Sequence, residues 1–197
     1  MYNHVAIPEL IKNKYPQAAA SMHIVLVNEE DNIQGIADKL TSHHTDTPLH
    51  RGLSVFLFNS KKELLIQQRS NSKKTWPSFW SNSFCGHPQI TETYEEAAHR
   101  HASFELGIQL QEIHFIANYR YKFSIDNIVE NEICPIYFAI SDKEITINHD
   151  EIDNIELLNW PDFLKFLENN SRIITPWCLE EAYILESSNK FKEFMQK

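Results

Sequence analysis

The chain predicts a mixed α/β fold built as a single domain. Three observations carry this. Strand-like and helix-like segments are interspersed along 197 residues, 42% of the residues are hydrophobic and 12% aromatic, and no internal repeat, low-complexity tract or linker divides them.

Residues 1–21 form a polar extension containing Pro8 and Pro16, with room for a short helix over 8–14; the domain proper is expected over 22–197. Residues 22–28 (MHIVLVN) read as a strand and 29–32 (EEDN) as its turn. Residues 54–58 (SVFLF) form a buried strand that turns through 59–63 into 64–68 (LLIQQ), a hairpin. Residues 70–79 are a loop marked by Pro77. A helix is predicted over 94–106, with Thr93 as its N-cap and Gly107 as its stop. Strands follow over 115–123 and 132–140, joined by a loop around Asp126 and Asn127, and a short strand over 155–160. Pro161 suits the first turn of a helix over 161–169, and Thr175 with Pro176 opens a long terminal helix running to about Phe194.

The formal net charge of −9 argues against general nucleic-acid binding. Cys85, Cys134 and Cys178 are odd in number and widely spaced, which fits a reducing compartment better than a disulfide framework. No apolar run approaches the roughly 20 residues of a membrane span, and the N-terminus lacks the pattern of a secretory signal. The expected location is cytoplasmic.

Ten histidines are present. His4, His23, His114 and His149 sit in ordinary contexts, where surface or hydrogen-bonded roles are the default. His43 and His50 flank a short segment rich in threonine and aspartate, and His87 follows Cys85 by two residues. Their spacing fits no zinc signature. Glu130 and Glu132 are two apart, so on a strand they share a face. Their ordinary role is a solvated strand edge, but Ile133, Ile136 and Phe138 take this segment into the core. Two carboxylates there either repel or share a cation. Three imidazoles and two carboxylates suit an octahedral divalent ion, Mn²⁺, Mg²⁺ or Zn²⁺. His44 rivals His43, and Cys134 shares the parity of Glu132, although a small buried residue is its simpler reading.

Around Gly86 the spacing is informative. Five residues separate Gly86 from Glu92 and seven separate Glu92 from Arg100, with Glu105, Leu106, Gly107 and Ile108 beyond. This resembles the Nudix box, whose hydrolytic form has a glutamate after the arginine and a glutamate pair before the last glycine. Here His101 and then Phe104-Glu105 stand in those places, so one helix carboxylate survives and water activation on clustered metal carboxylates is poorly served.

Further motifs extend the likeness. They are His43 with the run Thr47-Pro48-Leu49-His50, the run 72–77 (SKKTWP), the run 80–88 (WSNSFCGHP), Arg120-Tyr121, the run 128–135 (IVENEICP) and Thr175-Pro176-Trp177. In this combination the chain resembles the type I isopentenyl-diphosphate isomerases, metal-dependent enzymes of the Nudix fold, from about Met22 to the terminal helix. The resemblance implies an α/β/α sandwich with a mixed sheet. It implies isomerisation of isopentenyl diphosphate to dimethylallyl diphosphate for isoprenoid biosynthesis. It also implies that Cys85 and Glu132 are the acid–base pair, with Tyr121 supporting the glutamate. His43, His50, His87, Glu130 and Glu132 match the ligands of one divalent ion. Glu105 matches the ligand of a second Mg²⁺ that arrives with the diphosphate. Lys39, Arg69 and Lys73 match residues that hold the diphosphate, and Trp177 an aromatic beside the reacting carbons. The partner implied is a small isoprenoid diphosphate, with no nucleic acid and no membrane span, on a monomer or weak homodimer.

Ser78 departs from the family's glycine, His101 from a second arginine, and the loop between Tyr121 and Glu130 is one residue shorter than in a familiar bacterial member. Without the resemblance, Cys85 would read as a buried thiol, Tyr121 as packing, and Lys39, Arg69 and Lys73 as surface charges. Trp76, Trp80, Trp160 and Trp177 would read as core aromatics. Rival readings are a Nudix hydrolase of a nucleoside diphosphate derivative, a non-catalytic metal- or isoprenoid-binding module, and a thiol enzyme using Cys85, for which no resolving cysteine is nearby.

Overall fold

The computed structural model describes residues 22–196 together with Lys14. The extension over 1–21 and the helix expected over 8–14 lie outside the described residues, Lys14 apart.

The strands are β1 (His23–Val27), β2 (Ile33–Asp38), β3 (His50–Arg51), β4 (Leu53–Phe58), β5 (Glu63–Arg69), β6 (Trp80–Ser81), β7 (Phe84–Gly86), β8 (Glu112–Ala117), β9 (Arg120–Ile125), β10 (Ile128–Ile133), β11 (Ile136–Ile140) and β12 (Ile152–Asn159). The helices are α1 (Lys39–Ser42), α2 (Tyr94–Leu106), α3 (Trp160–Asn170), α4 (Pro176–Ser187) and α5 (Asn189–Gln196). The mixed α/β class is realised with two mixed sheets. One runs β2-β1-β3-β10-β9; the other runs β12-β5-β4-β11-β8, with β6 along β5 and β7 along β4. Parallel pairing occurs at β3 with β10 and at β4 with β11.

Strand β4 is the spine of the larger sheet and is buried along its whole length. Its side chains alternate between two cores. Leu53, Val55 and Leu57 meet Ala97, Ala98, Ala102 and Leu106 of α2. Phe56 and Phe58 meet Phe163 of α3, Leu185 of α4 and Phe191 of α5. Helices therefore cover both faces of this sheet.

Helix α2 forms as its ends direct. The Glu96 N–H donates to Thr93 Oγ1 at 3.1 Å and the Thr93 N–H to Glu96 Oε2 at 2.8 Å, a reciprocal cap. Gly107 closes it at φ 69°, a conformation that favours glycine. Pro161 and Pro176 sit in the first turns of α3 and α4 as expected.

Three expectations need correction. The single strand over 115–123 is two strands, β8 and β9, in different sheets, and the strand over 132–140 is likewise β10 and β11. The chain leaves one sheet at Asn118 and Tyr119 and returns at Cys134 and Pro135, where Cys134 N–H donates to Tyr119 O at 2.8 Å. Pro135 has no N–H for a ladder, so the pairing breaks there. The long terminal helix is two helices, broken where Ser188 adopts an extended conformation. Thr175 makes no capping bond; its hydroxyl lies 2.8 Å from that of Ser81 instead.

Candidate active site

The smaller sheet brings three site residues into one row. On β10, Glu132 pairs with His50 of β3 on one side and with Tyr121 of β9 on the other. Tyr121 Oη donates to Glu132 Oε2 at 2.9 Å. The carboxylate's other oxygen, Oε1, faces His87 Nε2 at 3.1 Å and His50 Nε2 at 3.4 Å. Glu130, two residues earlier, faces His43 Nε2 at 3.2 Å. Helix α1 delivers His43 at its C-terminal end, with Asp38 as N-cap accepting from the Thr41 N–H at 3.0 Å.

The donor set fits a divalent ion. His43 Nδ1 lies 2.9 Å from Lys39 O and His50 Nδ1 2.8 Å from Pro48 O. Each carbonyl can only accept, so Nδ1 carries the hydrogen and Nε2 presents a lone pair. One ligand atom from each of His43, His50, His87 and Glu132 lies within 4.8 Å of the others. His50 and His87 bring their Nε2 atoms to 3.3 Å. Burial pushes His87 down to about 3, so that imidazole is neutral. Burial opposes ionisation of both carboxyls, yet the facing imidazoles hold Glu130 low and Glu132 well below the usual carboxylate range. At His43 burial is outweighed by Glu130, which lifts it. Glu130 Oε2 is buried without a hydrogen-bond partner and His43 Nε2 stands 3.2 Å away, so a proton or a cation belongs between them. Two buried carboxylates and converging lone pairs call for a cation. His44 is exposed and stands apart from this group, and Cys134 belongs to the core.

Opposite, β7 hydrogen-bonds to β4 and pairs Cys85 with Ser54. Cys85 Sγ lies 3.3 Å from Asn82 Oδ1 and 3.7 Å from Ser54 Oγ. Burial, and secondarily the Glu181 carboxyl, push its thiol far up. Cys85 and Glu132 line the same cavity of about 280 Å³, together with Tyr121, His43, His87, Glu130, Glu105, Lys39, Arg69, Lys73 and Trp177. His50 is fully buried behind His87.

The cationic residues are arranged less freely than the sequence suggests. The Arg69 guanidinium donates to Thr75 O at 2.8 Å, to Thr75 Oγ1 at 3.1 Å and to Trp76 O at 3.2 Å, tying down the 70–79 loop. It also lies 5.5 Å from the Trp177 ring centroid. Trp177 stacks on Tyr121 at 5.8 Å and meets Trp76 edge-on, so part of its π-surface already serves Arg69 and the Tyr121 ring. Lys73 pairs with Glu151. Burial pushes the Glu105 carboxyl up against the pull of Lys73, Lys39 and Arg69, which places those charges around it.

His101, Glu92 and Gly52, none of them given a role from the sequence, complete the geometry. His101, noted only as a departure, accepts from the His87 N–H at Nε2 (3.2 Å), and its Nδ1 lies 3.1 Å from Glu105 Oε1. Burial and Arg100 push it down to about 3, the neutral form these two bonds require. Glu92 is taken up by Arg100, with contacts of 2.6 Å to both guanidinium nitrogens involved. Gly52 gives Glu132 its space: a Cβ there would lie 1.8 Å from Glu132 Oε2. Neither residue type nor spacing announces that contact.

The chain is similar to known proteins. The NUDIX domain family matches residues 48–178. An isopentenyl-diphosphate Delta-isomerase of Klebsiella pneumoniae subsp. pneumoniae is 39% identical over 173 residues, 87% of this chain and 91% of the relative. That of Saccharopolyspora erythraea is 37% identical over 161 residues, 81% of this chain and 83% of the relative. The chain belongs to the isopentenyl-diphosphate Delta-isomerase family, within the NUDIX domain proteins. Among solved structures, Deinococcus radiodurans DR0079 superposes with a TM-score of 0.66 at 25% identity, covering 82% of this chain and 98% of its own. The MutT protein of Methanosarcina mazei Go1 gives 0.57 at 16% identity over 76% of this chain and 97% of its own, a likeness of fold alone. Among the described residues no helix is long and apolar enough to cross a membrane.

Proposed function

We propose that this chain converts isopentenyl diphosphate to dimethylallyl diphosphate by a 1,3-allylic proton shift, with Cys85 and the Glu132–Tyr121 pair as its two proton-transfer groups. The observation that carries this reading is a thiol and a tyrosine-supported carboxylate lining one cavity with lysines and an arginine. A terminal alkene is a weak base. Adding a proton to it creates a tertiary carbocation, and loss of a different proton completes the shift, so the site needs a proton donor and a proton acceptor within reach of one allylic unit.

Lys39, Lys73 and Arg69 favour an anionic headgroup at their part of the pocket. Tyr121, Trp177 and Cys85 offer the hydrocarbon a largely apolar wall. The aromatic faces of Trp177 and Tyr121 favour positive charge by about 0.5–2 kcal/mol. An enclosed wall also keeps water from trapping the cation as an alcohol. His43, His50, His87, Glu130 and Glu132 would hold one divalent ion, Mn²⁺, Mg²⁺ or Zn²⁺, and Glu105 a second, Mg²⁺, that comes with the diphosphate. Bound there, the first ion supplies positive charge that fixes the Glu132 carboxylate and makes a proton on it more acidic. Tyr121 Oη holds Glu132 Oε2 from the strand alongside.

Proton NMR of isopentenyl diphosphate with the protein in D₂O tests this. The double bond should migrate and deuterium should enter the product. Cys85→Ala and Glu132→Gln should each lower turnover by at least about a thousandfold while the far-UV circular dichroism is unchanged. Near-normal turnover in either variant defeats the assigned roles. Release of phosphate from a panel of nucleoside diphosphate derivatives, without isomerisation, would favour a hydrolase.

A further inference from the structure

Strand β4 (LSVFLF) is apolar at every position but one. The exception, Ser54, points away from α2 and toward α4, where it meets a carboxyl that the chemistry above does not use. Glu181 is fully buried. Ser54 Oγ and Glu181 Oε2 lie 2.5 Å apart, a hydrogen bond that either oxygen can donate when the carboxyl is neutral, whereas Glu181 Oε1 has no partner. On its other side Ser54 Oγ accepts from Asn82 Nδ2 at 2.9 Å and lies 3.7 Å from Cys85 Sγ. Asn82 steadies both, with its Oδ1 3.3 Å from Cys85 Sγ. A continuous line of hydrogen-bonding groups thus leads from the thiol at the pocket wall to a carboxyl deep under α4.

Stability does not explain that carboxyl. A buried polar oxygen without a partner costs roughly 1–3 kcal/mol, and the neighbours of Glu181 along α4, Cys178, Ala182 and Leu185, are apolar core. With Oε1 among apolar neighbours, a bare negative charge there is costly and the neutral carboxyl fits the seat better, in line with burial pushing Glu181 well above the usual range.

An allylic shift gives one proton to the substrate from one group and takes another with a second group. After each turnover the donor is one proton short and the acceptor one over. The Cys85 side of the pocket therefore alternates between neutral and singly negative, and an anion left on sulfur there is poorly solvated. A carboxyl at about 4.3 is intrinsically a stronger acid than a thiol at about 8.5, which favours moving the charge from sulfur to Glu181. We propose that Glu181, acting through the Ser54 hydroxyl, is the proton store behind Cys85, so that the charge left on this side in each cycle rests on a carboxylate. This builds on the reading of Cys85 as a proton-transfer group. When Cys85 gives up its proton, the S–H bond breaks as a substrate C–H bond forms. The Ser54 O–H proton then passes to Sγ and the Glu181 O–H proton to Ser54 Oγ, leaving the Glu181 carboxylate. When Cys85 takes a proton, the same three transfers run backward and Glu181 is protonated again. Between turnovers, water entering the open pocket restores the proton missing on one side and removes the one gained on the other, so that protons balance over the cycle. Glu181 touches no substrate; it acts through Cys85.

The test uses the metal-loaded full chain. Glu181→Gln keeps a group of the same shape that can still bond to Ser54 but cannot lose or gain the proton. It should lower kcat about tenfold or more and leave the KM for isopentenyl diphosphate within about twofold, with unchanged bound metal and thermal midpoint. The rate plotted against deuterium fraction in mixed H₂O/D₂O should curve in the native enzyme and straighten in the variant. Ser54→Ala should resemble Glu181→Gln, and the double variant should be no slower than the slower single one, because both cut the same line. A kcat in Glu181→Gln equal to that of the native enzyme overturns the proposal. So do fully multiplicative losses in the double variant. If Glu181→Gln does not fold, Ser54→Ala alone decides, and a native kcat there overturns the proposal. A native chain that performs no isomerisation would defeat the isomerase reading and this one with it, whereas an active enzyme indifferent to position 181 defeats only the store.

Discussion

At the scale of single residues, the site depends on atoms that are missing as much as on those present. Gly52 leaves no Cβ where Glu132 Oε2 sits, and a methyl there would stand 1.8 Å from that oxygen and 2.6 Å from the carboxyl carbon. Gly52→Ala should therefore turn Glu132 away from Tyr121 and His87, because β10 and its backbone pairing cannot move as easily as a side chain. A displacement of about 1 Å at a reacting group costs on the order of a hundredfold in rate. Gly52→Ala should show that loss in kcat together with reduced metal content, and a variant with native turnover would mean the carboxylate has another seat. Gly86 plays a similar part for His101, whose Nε2 would lie 2.1 Å from an added Cβ. Residue types, strand parity and family likeness marked Cys85, Tyr121, Glu130, Glu132 and the three histidines. The Gly52 contact, the His101 bridge and the Ser54–Glu181 pair were not legible, since each joins positions far apart in sequence and is visible only once strands are in register.

At the scale of elements, legibility followed locality. Helix α2 was read to its end residues because its cap and stop are written within a few positions of it. The consecutive strands β8 and β9, and likewise β10 and β11, read as single runs because hydrophobic patterning carries on through a change of sheet. Edge strand β2, largely exposed or half-buried, and the two-residue β3 gave no pattern to read. The departures from the family's pattern do find a local explanation. The short connection between β9 and β10 is a two-residue turn in which Asp126 (φ 47°) and Asn127 (φ 64°) both adopt positive φ, residues suited to that conformation. Ser78 is less well suited. It holds φ 63° on an exposed loop, and its backbone N–H donates to Arg69 O at 3.1 Å. A left-handed conformation costs a non-glycine residue about 1–2 kcal/mol, offset by about 0.5–1 kcal/mol of extra chain entropy for glycine. Ser78→Gly should stabilise the fold by about 0.5–1 kcal/mol, read as a rise of about 2 °C in thermal midpoint. A fall in midpoint would show that the serine side chain contributes something the loop geometry does not reveal.

At the scale of the whole molecule, the site is a seam between parts. The smaller sheet supplies His50, Tyr121, Glu130 and Glu132; the larger supplies Arg69 and Cys85; α2 adds Glu105 and α4 adds Trp177. The cluster of carboxylates and imidazoles concentrates negative charge at this seam, so removing a bound divalent ion should weaken both activity and fold. Dialysis against a strong chelator should abolish turnover and lower the thermal midpoint, and returning Mn²⁺ or Mg²⁺ should restore both. Full activity in demonstrably metal-free protein would overturn the metal assignment.

The two sheets are unequally anchored. Every residue of β4 is buried, whereas β2 and β9 leave much of their length open to solvent. Regions with fewer buried contacts open at lower free energy than the core. A urea titration should therefore silence the enzyme before the helical signal fades, and amide hydrogens of β2 and β9 should exchange sooner than those of β4. Cys85 would stay housed on its rigid half after its counterpart had drifted off, leaving a folded remnant with half a reaction centre.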